Sequence, residues 1–361
     1  MIYNARLVRE TRIDFPAWVL SSGGIIRAMG TGTRYPAAVM CRIDARGCFV
    51  GPGCIDLHVH GRRTRLSAAL PATGTTAFVR SFFTAPAAEL AERLRAERSA
   101  EDNGARCLGF HLEGPFLNAA MAGAQPSAAI RKPSVSLMRR LLAEGAGLVR
   151  MVTVSGDEPA ALPLIRFLRR QGIIAAIGHT TASFEQARRA IESGAGHATH
   201  IFNRMPAISA RQPGAAAAFL NDPRATLELI ADGRHVHPAL LALAGRLKAA
   251  DTIILVSDSV RYADVPGARA RAGLWYLADG TIAGSGLCLL RAVKNMVQFC
   301  NIPLYRALPM ASLNPARRLG CAQRTGSLAV GKDADIIVFD AQYRVELTMV
   351  TGKIVYQRKK R

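Results

Sequence analysis

Several histidines of this chain stand where they could bind a metal ion. His58 and His60 end an apolar run and lie two residues apart, so on a β-strand both imidazoles point to one face and can bind one cation. His179 follows a later apolar run, and His200 lies within the next one. A single buried histidine is more often a hydrogen-bonded core residue than a ligand. Four of the eight histidines at such positions nevertheless predict a divalent metal site.

Two carboxylates have similar positions. Glu113 ends the run Arg106–Leu112, where a buried glutamate without a cation or arginine partner would be costly. Asp258 follows the apolar Leu255-Val256. A carboxylate there can accept a proton from an attacking water and return it to a leaving nitrogen, or it can merely cap the next turn. We therefore predict Glu113 as a metal ligand and Asp258 as the catalytic acid–base.

Other candidates have weaker claims. His111 shares a face with Glu113 and is either a further ligand or a donor that orients the ligands. His197 and His237 are expected to be structural. The run Leu148–Ser155 contains no lysine, so a carboxylated lysine bridge is not available there.

Apolar runs and amphipathic stretches alternate from Gly53 to about Ser259. The runs are Cys54–Val59, Thr76–Phe83, Arg106–Leu112, Leu148–Ser155, Ile173–Gly178, His197–Phe202, Thr226–Ala231 and Thr252–Ser257. Strands alternating with helices pair in parallel, and eight of them favour a (β/α)₈ TIM barrel over a doubly wound sheet. Barrel enzymes carry their catalytic groups at the C-terminal strand ends, which is where the residues above fall.

The two ends of the chain have a different pattern. Residues 1–52 and 323–361 contain short strand-like pieces between turns, such as Asp335–Phe339 and Lys353–Tyr356. We expect both segments to pair into one small β-sandwich domain. Residues 53–322 then form the metal-dependent hydrolase barrel.

The formal net charge of +21 could attract nucleic acid, an anionic membrane or an anionic substrate. The sequence has no helix-turn-helix or zinc-finger pattern and no uncharged stretch long enough to cross a bilayer. We therefore expect neither nucleic acid nor membrane as a partner. Seven scattered cysteines and an N-terminus without a signal segment favour a cytoplasmic location.

The motifs occur in an order that resembles the N-acetylglucosamine-6-phosphate deacetylases of the amidohydrolase superfamily. The resemblance covers nearly the whole chain, and its specificity comes from the ordered series rather than from any one motif. The motifs are Pro52-Gly53-Cys54-Ile55-Asp56-Leu57-His58-Val59-His60-Gly61, His111-Leu112-Glu113-Gly114-Pro115, Gly178-His179, Ala198-Thr199-His200-Ile201-Phe202-Asn203-Arg204-Met205-Pro206, Ile230-Ala231-Asp232-Gly233-Arg234-His235-Val236 and Val256-Ser257-Asp258.

This resemblance implies deacetylation of an amino-sugar phosphate, N-acetylglucosamine 6-phosphate first. It implies that Glu113, His179 and His200 bind the principal ion. Some family members also keep a His-x-His pair that holds a second ion and others have lost it, so with His58 and His60 present one or two ions are expected. Zinc is the first candidate, and iron or manganese is compatible. A homodimer is implied as well, with an arginine reaching the phosphate of the neighbouring subunit's substrate. The expected substrate-binding residues are Ala124, Gln125, Asn203, Arg204, Arg211, Arg234, His235, Ile282, Ala283 and Gly284.

Some positions depart from the family pattern. Arg62-Arg63-Thr64-Arg65 stands where the family has glycines and an acidic residue, Gln125 stands where it has a histidine near the scissile amide, and Arg204 replaces a small residue. The metal ligands are retained, so the pattern predicts the same chemistry with altered specificity. Two alternatives stay open: a different amide, cyclic imide or deaminase-type substrate, or a degenerate binding protein without catalysis.

Overall fold

Five strands near the N-terminus begin a small β-sheet. The computed structural model describes residues 1–36, 39 and 41–359. The strands are β1 (Ile2–Val8), β2 (Ile13–Ser22), β3 (Ile25–Thr31), β4 (Ile43–Asp44) and β5 (Phe49–Pro52). β1 pairs antiparallel with β2 and in parallel with β4 and β5, while β3 extends the sheet beyond β2.

Eight parallel strands form the barrel. They are β6 (Cys54–Gly61), β7 (Thr75–Phe83), β8 (Arg106–Glu113), β9 (Val149–Val154), β10 (Ile174–Ile177), β11 (His197–Ala198), β12 (Thr226–Leu229) and β13 (Ile253–Leu255). Each pairs with the next in parallel. The chain continues from β13 into β14 (Ser259–Tyr262), which pairs in parallel with β6 and closes the circle. The predicted TIM-barrel fold class is confirmed.

Helices alternate with the barrel strands. They are α1 (Arg63–Ala69), α2 (Ala87–Arg98), α3 (Val135–Gly145), α4 (Ala161–Arg170), α5 (Phe184–Ser193), α6 (Gly214–Asn221), α7 (Pro238–Leu247) and α8 (Leu289–Cys300), with α9 (Leu304–Ala307) and α10 (Leu313–Arg318) after them. α4 illustrates why they pack here: Leu164, Ile165 and Leu168 recur at helical spacing and are fully buried. α5 begins with a capping box between Ser183 and Gln186. None of the helices in the described part of the chain has the length and apolar character needed to span a bilayer.

A β-bulge in β6 sets up the functional end of the barrel. Relative to β7, β6 has one extra residue between Asp56 and Val59. Bulges of this kind redirect side chains and are common beside active sites. Leu57 packs in the apolar cluster of the barrel strands, yet the next residue, His58, faces the carboxylates of Glu113 and Glu228.

The C-terminal part of the chain returns to the small sheet. The antiparallel strands β15 (Arg269–Arg271), β16 (Leu274–Tyr276) and β17 (Ile282–Ser285) first extend the barrel sheet beside β14. β18 (Ile336–Phe339), β19 (Val345–Val350) and β20 (Lys353–Gln357) then join β5, so strands from both ends share one sheet with its own apolar core. The limits at residues 52/53 and 322/323 stay predictions.

Candidate metal centre

Six predicted residues converge at the C-terminal mouth of the barrel. They are His58 and His60 on β6, Glu113 at the end of β8, His179 after β10, His200 after β11 and Asp258 between β13 and β14. Three of them have left-handed backbones, with φ of +48° at His179, +27° at His200 and +45° at Asp258. Non-glycine residues rarely adopt this conformation, although histidine and aspartate do so more often than most, and strained backbone of this kind recurs at active sites.

The first ligand group consists of Glu113, His179 and His200. Oε1 of Glu113 lies 3.0 Å from Nε2 of His179 and 3.1 Å from Nε2 of His200. The two Nε2 atoms are 3.2 Å apart. Nδ1 of His179 donates to the backbone carbonyl of Met121 at 2.8 Å, which leaves a lone pair on Nε2 of the neutral ring.

The second ligand group consists of His58, His60 and Asp258. Oδ1 of Asp258 lies 3.5 Å from Nε2 of His58 and 3.3 Å from Nε2 of His60. Glu113 connects the two groups, since its Oε1 is 3.5 Å from Nε2 of His58 and its Oε2 is 3.4 Å from Nε2 of His60.

The spacing and the unsatisfied nitrogens of these side chains are better explained by a shared divalent cation than by hydrogen bonds among the side chains alone. Ligand atoms about 2.0–2.1 Å from a tetrahedral ion lie roughly 3.3 Å apart, which is the spacing found here. Nε2 of His58 and both ring nitrogens of His60 are buried without a hydrogen-bond partner among the described residues. Buried polar atoms are normally satisfied, so their convergence indicates a metal site. Imidazole and carboxylate donors suit zinc, iron or manganese.

The charges of the centre support one another. Burial opposes ionisation of Glu113, but His58, His179 and His200 outweigh it and hold the pKa of Glu113 well below its usual value. Burial also opposes ionisation of Asp258, where His58 and His60 lower the pKa instead. Both carboxylates are therefore available as anions to a cation.

His111 lies beside the metal centre, and His237 lies away from it. His111 accepts or donates between Ser81 (3.0 Å) and Thr153 (2.8 Å) and packs edge-on against His58. Burial holds its pKa well below the usual value, so it is a neutral ring. Of the two readings that the sequence left open for His111, its contacts favour the orienting one. His237 lies outside the centre, where its side chain caps α7.

Glu228 is a buried carboxylate behind the ligand groups that the sequence interpretation missed. It is fully buried, and its carboxylate accepts from Nδ1 of His58 (3.1 Å), Nε2 of His197 (3.0 Å) and the backbone N–H of His200 (3.1 Å). A carboxylate on the far nitrogen fixes the ring and raises its basicity as a ligand. The available signal was a charged residue inside an apolar run, between Leu227 and Leu229.

Gln125 also contacts the centre directly. Its side chain is buried beside Glu113 and Thr84. Gly123, two residues before Gln125, lets the Arg204 side chain pack closely against this loop, because a Cβ at Gly123 would lie 2.5 Å from Nε of Arg204. The loop that carries Ala124 and Gln125 is therefore covered by the Arg204 side chain.

A cavity of about 360 Å³ opens over the metal centre. Eight of the ten expected substrate-binding residues line it: Ala124, Gln125, Asn203, Arg204, His235, Ile282, Ala283 and Gly284. The sequence interpretation missed four apolar lining residues, Phe83, Met121, Phe202 and Met205. Arg211 and Arg234 are exposed and do not line this cavity.

Comparisons with known proteins agree with this architecture. Residues 49–355 match the model of the amidohydrolase family. The chain is 35% identical over 334 residues to the N-acetylglucosamine-6-phosphate deacetylase of Bacillus subtilis (strain 168), covering 84% of each chain. It is 33% identical to the N-acetylgalactosamine-6-phosphate deacetylase of Escherichia coli O157:H7, covering 84% of this chain and 86% of that one. It superposes on the N-acetyl-D-glucosamine-6-phosphate deacetylase of Mycobacterium smegmatis in complex with N-acetyl-D-glucosamine-6-phosphate with a TM-score of 0.90, 31% identity and 99% coverage of both chains.

Proposed function

Since this chain belongs to the amidohydrolase family and, within it, to the N-acetylglucosamine-6-phosphate deacetylase family, we propose that it hydrolyses the acetamide of an amino-sugar phosphate. The first substrate is N-acetylglucosamine 6-phosphate, and the products are acetate and the free amino-sugar phosphate. The observation that carries the proposal is the convergence of Glu113, His179 and His200 with His58, His60 and Asp258 below one cavity.

Glu113, His179 and His200 would hold the principal ion, and His58 and His60 would hold a second. Zinc is our first choice for a donor set of imidazoles and carboxylates. A divalent ion bound there supplies Lewis acidity toward water and toward the acetyl carbonyl. Glu228 would keep Nε2 of His58 directed at the ion by binding its Nδ1.

Asp258 would move the proton. Its carboxylate is ionised and reaches the cavity, with 14% of its side chain exposed. It accepts a proton as the water oxygen bonds to the acetyl carbon, and it delivers that proton to the sugar nitrogen as the C–N bond breaks. The amine leaves neutral, and the acetyl group leaves as acetic acid, which releases its remaining proton to solvent and becomes acetate.

The cavity rim offers groups for the sugar phosphate. Nδ1 of His235 is bound to Asp232 at 2.6 Å, which leaves its Nε2 for a substrate oxygen. The guanidinium of Arg204 lies on the cavity lining and makes no hydrogen bond or ion pair with the described residues, so Arg204 is our candidate for the phosphate. Arg211, exposed on its loop, would serve the site of a neighbouring subunit in a homodimer. The dimer, the zinc ion and a cytoplasmic location stay predictions.

A direct test is acetate release from N-acetylglucosamine 6-phosphate by the purified protein. The same assay is run with N-acetylgalactosamine 6-phosphate, with unphosphorylated N-acetylglucosamine, and after chelation with zinc, iron or manganese restored. We expect phosphate-dependent acetate release that chelation abolishes and a divalent ion restores. Two results would favour another amide, a cyclic imide or a deaminase-type substrate. One is equal acetate release from the phosphorylated and unphosphorylated sugars, and the other is no acetate release by a protein that retains stoichiometric metal.

A further inference from the structure

A second cavity, of about 550 Å³, adjoins the metal centre. His60 lies on its lining, and Phe83 lines both this cavity and the substrate cavity. The two rings stack with centroids 3.9 Å apart and planes 7° apart. The pair is therefore a wall that the second cavity shares with the metal centre.

Three arginines line this second cavity: Arg62, Arg80 and Arg93. Arg80 is the most enclosed, with 11% of its side chain exposed. Its Nε donates to the carbonyl of Gly61 at 2.8 Å, and its guanidinium lies 3.6 Å from the centroid of the Phe82 ring. Its Nη1 is buried and has no hydrogen-bond partner among the described residues. An unsatisfied buried donor on a cation is costly, so a ligand with an acceptor would be favoured here.

The acidic groups on the lining are already engaged. Glu97 accepts the backbone N–H of Arg63 at 2.8 Å and lies 3.4 Å from Nη2 of Arg80. Asp264 pairs with Arg65 at 3.3 Å. Burial lowers the pKa of Arg80 to about 10, and the positive charges of Arg93 and Arg62 act in the same direction. Three arginines face two carboxylates on the lining, and Arg93 is already paired with Glu89 outside it, so the excess positive charge is that of Arg62.

Of the three arginines in the segment Arg62–Arg65, two are paired with aspartates and one has no partner among the described residues. Arg63 makes two hydrogen bonds to Asp102 (2.8 and 3.1 Å), and Arg65 pairs with Asp264. Arg62 has an exposed side chain that makes no hydrogen bond or ion pair with any described residue. The deacetylase reaction proposed above uses none of these arginines.

We propose that this cavity is a binding site for a small oxyanion, a phosphate or a carboxylate, held between Arg62 and Arg80. Such an anion offers acceptors to the unpaired Nη1 and to the Arg62 guanidinium, and charge-assisted hydrogen bonds of this kind are the strong ones. The anion would lie against His60, next to the metal centre. The proposal does not depend on the identity of the substrate.

The test is calorimetric titration of the metal-loaded protein with inorganic phosphate and, separately, with acetate. Arg62→Ala is compared with the wild type and with the matched control Arg140→Ala, which removes an exposed arginine of α3 outside the cavity lining. We expect Arg62→Ala to weaken binding by about tenfold, the effect of losing one charge-assisted hydrogen bond, and Arg140→Ala to bind as the wild type does. The stronger of the two titrants identifies the class of oxyanion.

Three outcomes would overturn the proposal. The wild type binds neither anion, the two arginine variants lose affinity equally, or Arg62→Ala binds both anions unchanged. In the last case a parallel loss in Arg204→Ala would assign the anion to the substrate cavity. That result would reject the second site and leave the deacetylase proposal intact.

Discussion

The side-chain amide of Gln125 donates a hydrogen bond of 2.6 Å to Oε2 of Glu113, and its carbonyl oxygen accepts one of 2.8 Å from the backbone N–H of Thr84. The Thr84 contact fixes which end of the amide faces Glu113. Oε1 is thereby left to His179 and His200. A glutamine cannot titrate, so it orients this carboxylate without competing for protons.

Replacing this glutamine tests its positioning role. We expect Gln125→Ala to reduce metal affinity by about 10- to 100-fold, as loss of a partner behind a ligand usually does. It also leaves the Thr84 N–H unsatisfied, which should cost about 1–3 kcal/mol of unfolding free energy. Chelator competition and denaturant unfolding measure the two effects. Gln212→Ala, at an exposed position, is the control, and equal metal affinity in both variants would contradict the role.

Glu228 should act on the other ligand group. Glu228→Gln removes the negative charge behind His58 and places an amide donor where ring and backbone N–H groups now donate. We expect the ion on His58 and His60 to be bound about 10- to 100-fold more weakly. Stepwise metal titration of the apo-protein measures this, with the exposed Glu192→Gln as a control. If both binding steps match those of the wild type, Glu228 is not a positioning residue.

The ligands could be predicted because each one interrupts an apolar strand at its end. Their local geometry could not be, because it depends on tertiary contacts. The sixth run was expected to be a strand over His197–Phe202, but β11 ends at Ala198, since the backbone turns left-handed at His200 and Phe202. Glu228 was missed for the same reason: its partners come from other strands. Resemblance alone placed Arg211 and Arg234 near the substrate, and neither lines the cavity of its own chain.

Ionised Asp157 should contribute to the unfolding free energy, and this contribution should be lost in acid. Burial opposes its ionisation, but hydrogen bonds from Ser155, Thr181 and Asn118 outweigh it and lower its pKa below the ordinary 3.8. A depressed pKa stabilises the fold above the unfolded-state value, and this contribution is lost as the pH falls through the folded-state value. Unfolding free energy measured from pH 7 to pH 3 should therefore fall less steeply in Asp157→Asn than in the wild type. The exposed Asp251→Asn should follow the wild type, and parallel curves for all three proteins would refute the assignment.

Variants of Arg204 and Arg211 test whether the substrate phosphate is bound by an arginine of the same chain or by one from a partner subunit. Arg204→Ala should raise KM for the sugar phosphate by about tenfold, the loss of one charge-assisted hydrogen bond, and should leave KM for the unphosphorylated sugar nearly unchanged. Arg211→Ala should raise KM only if a partner subunit brings that arginine to the cavity. Kinetics of both variants, with oligomeric state measured by light scattering, decide this. Arg140→Ala, exposed on α3, controls for general charge; an equal KM change in all three would mean that neither arginine recognises the phosphate.

Asp258 carries the proton in the proposed reaction, so its loss should damage turnover more than metal binding. An asparagine keeps the shape of the side chain but cannot accept the proton. We expect Asp258→Asn to lower kcat by about 10²- to 10⁴-fold while the ion on Glu113, His179 and His200 is retained. Acetate release and metal content, measured on the same preparation, distinguish a lost base from a lost ion. The exposed Asp264→Asn is the charge-matched control, and a kcat within a few-fold of the wild type for Asp258→Asn would show that another group moves the proton.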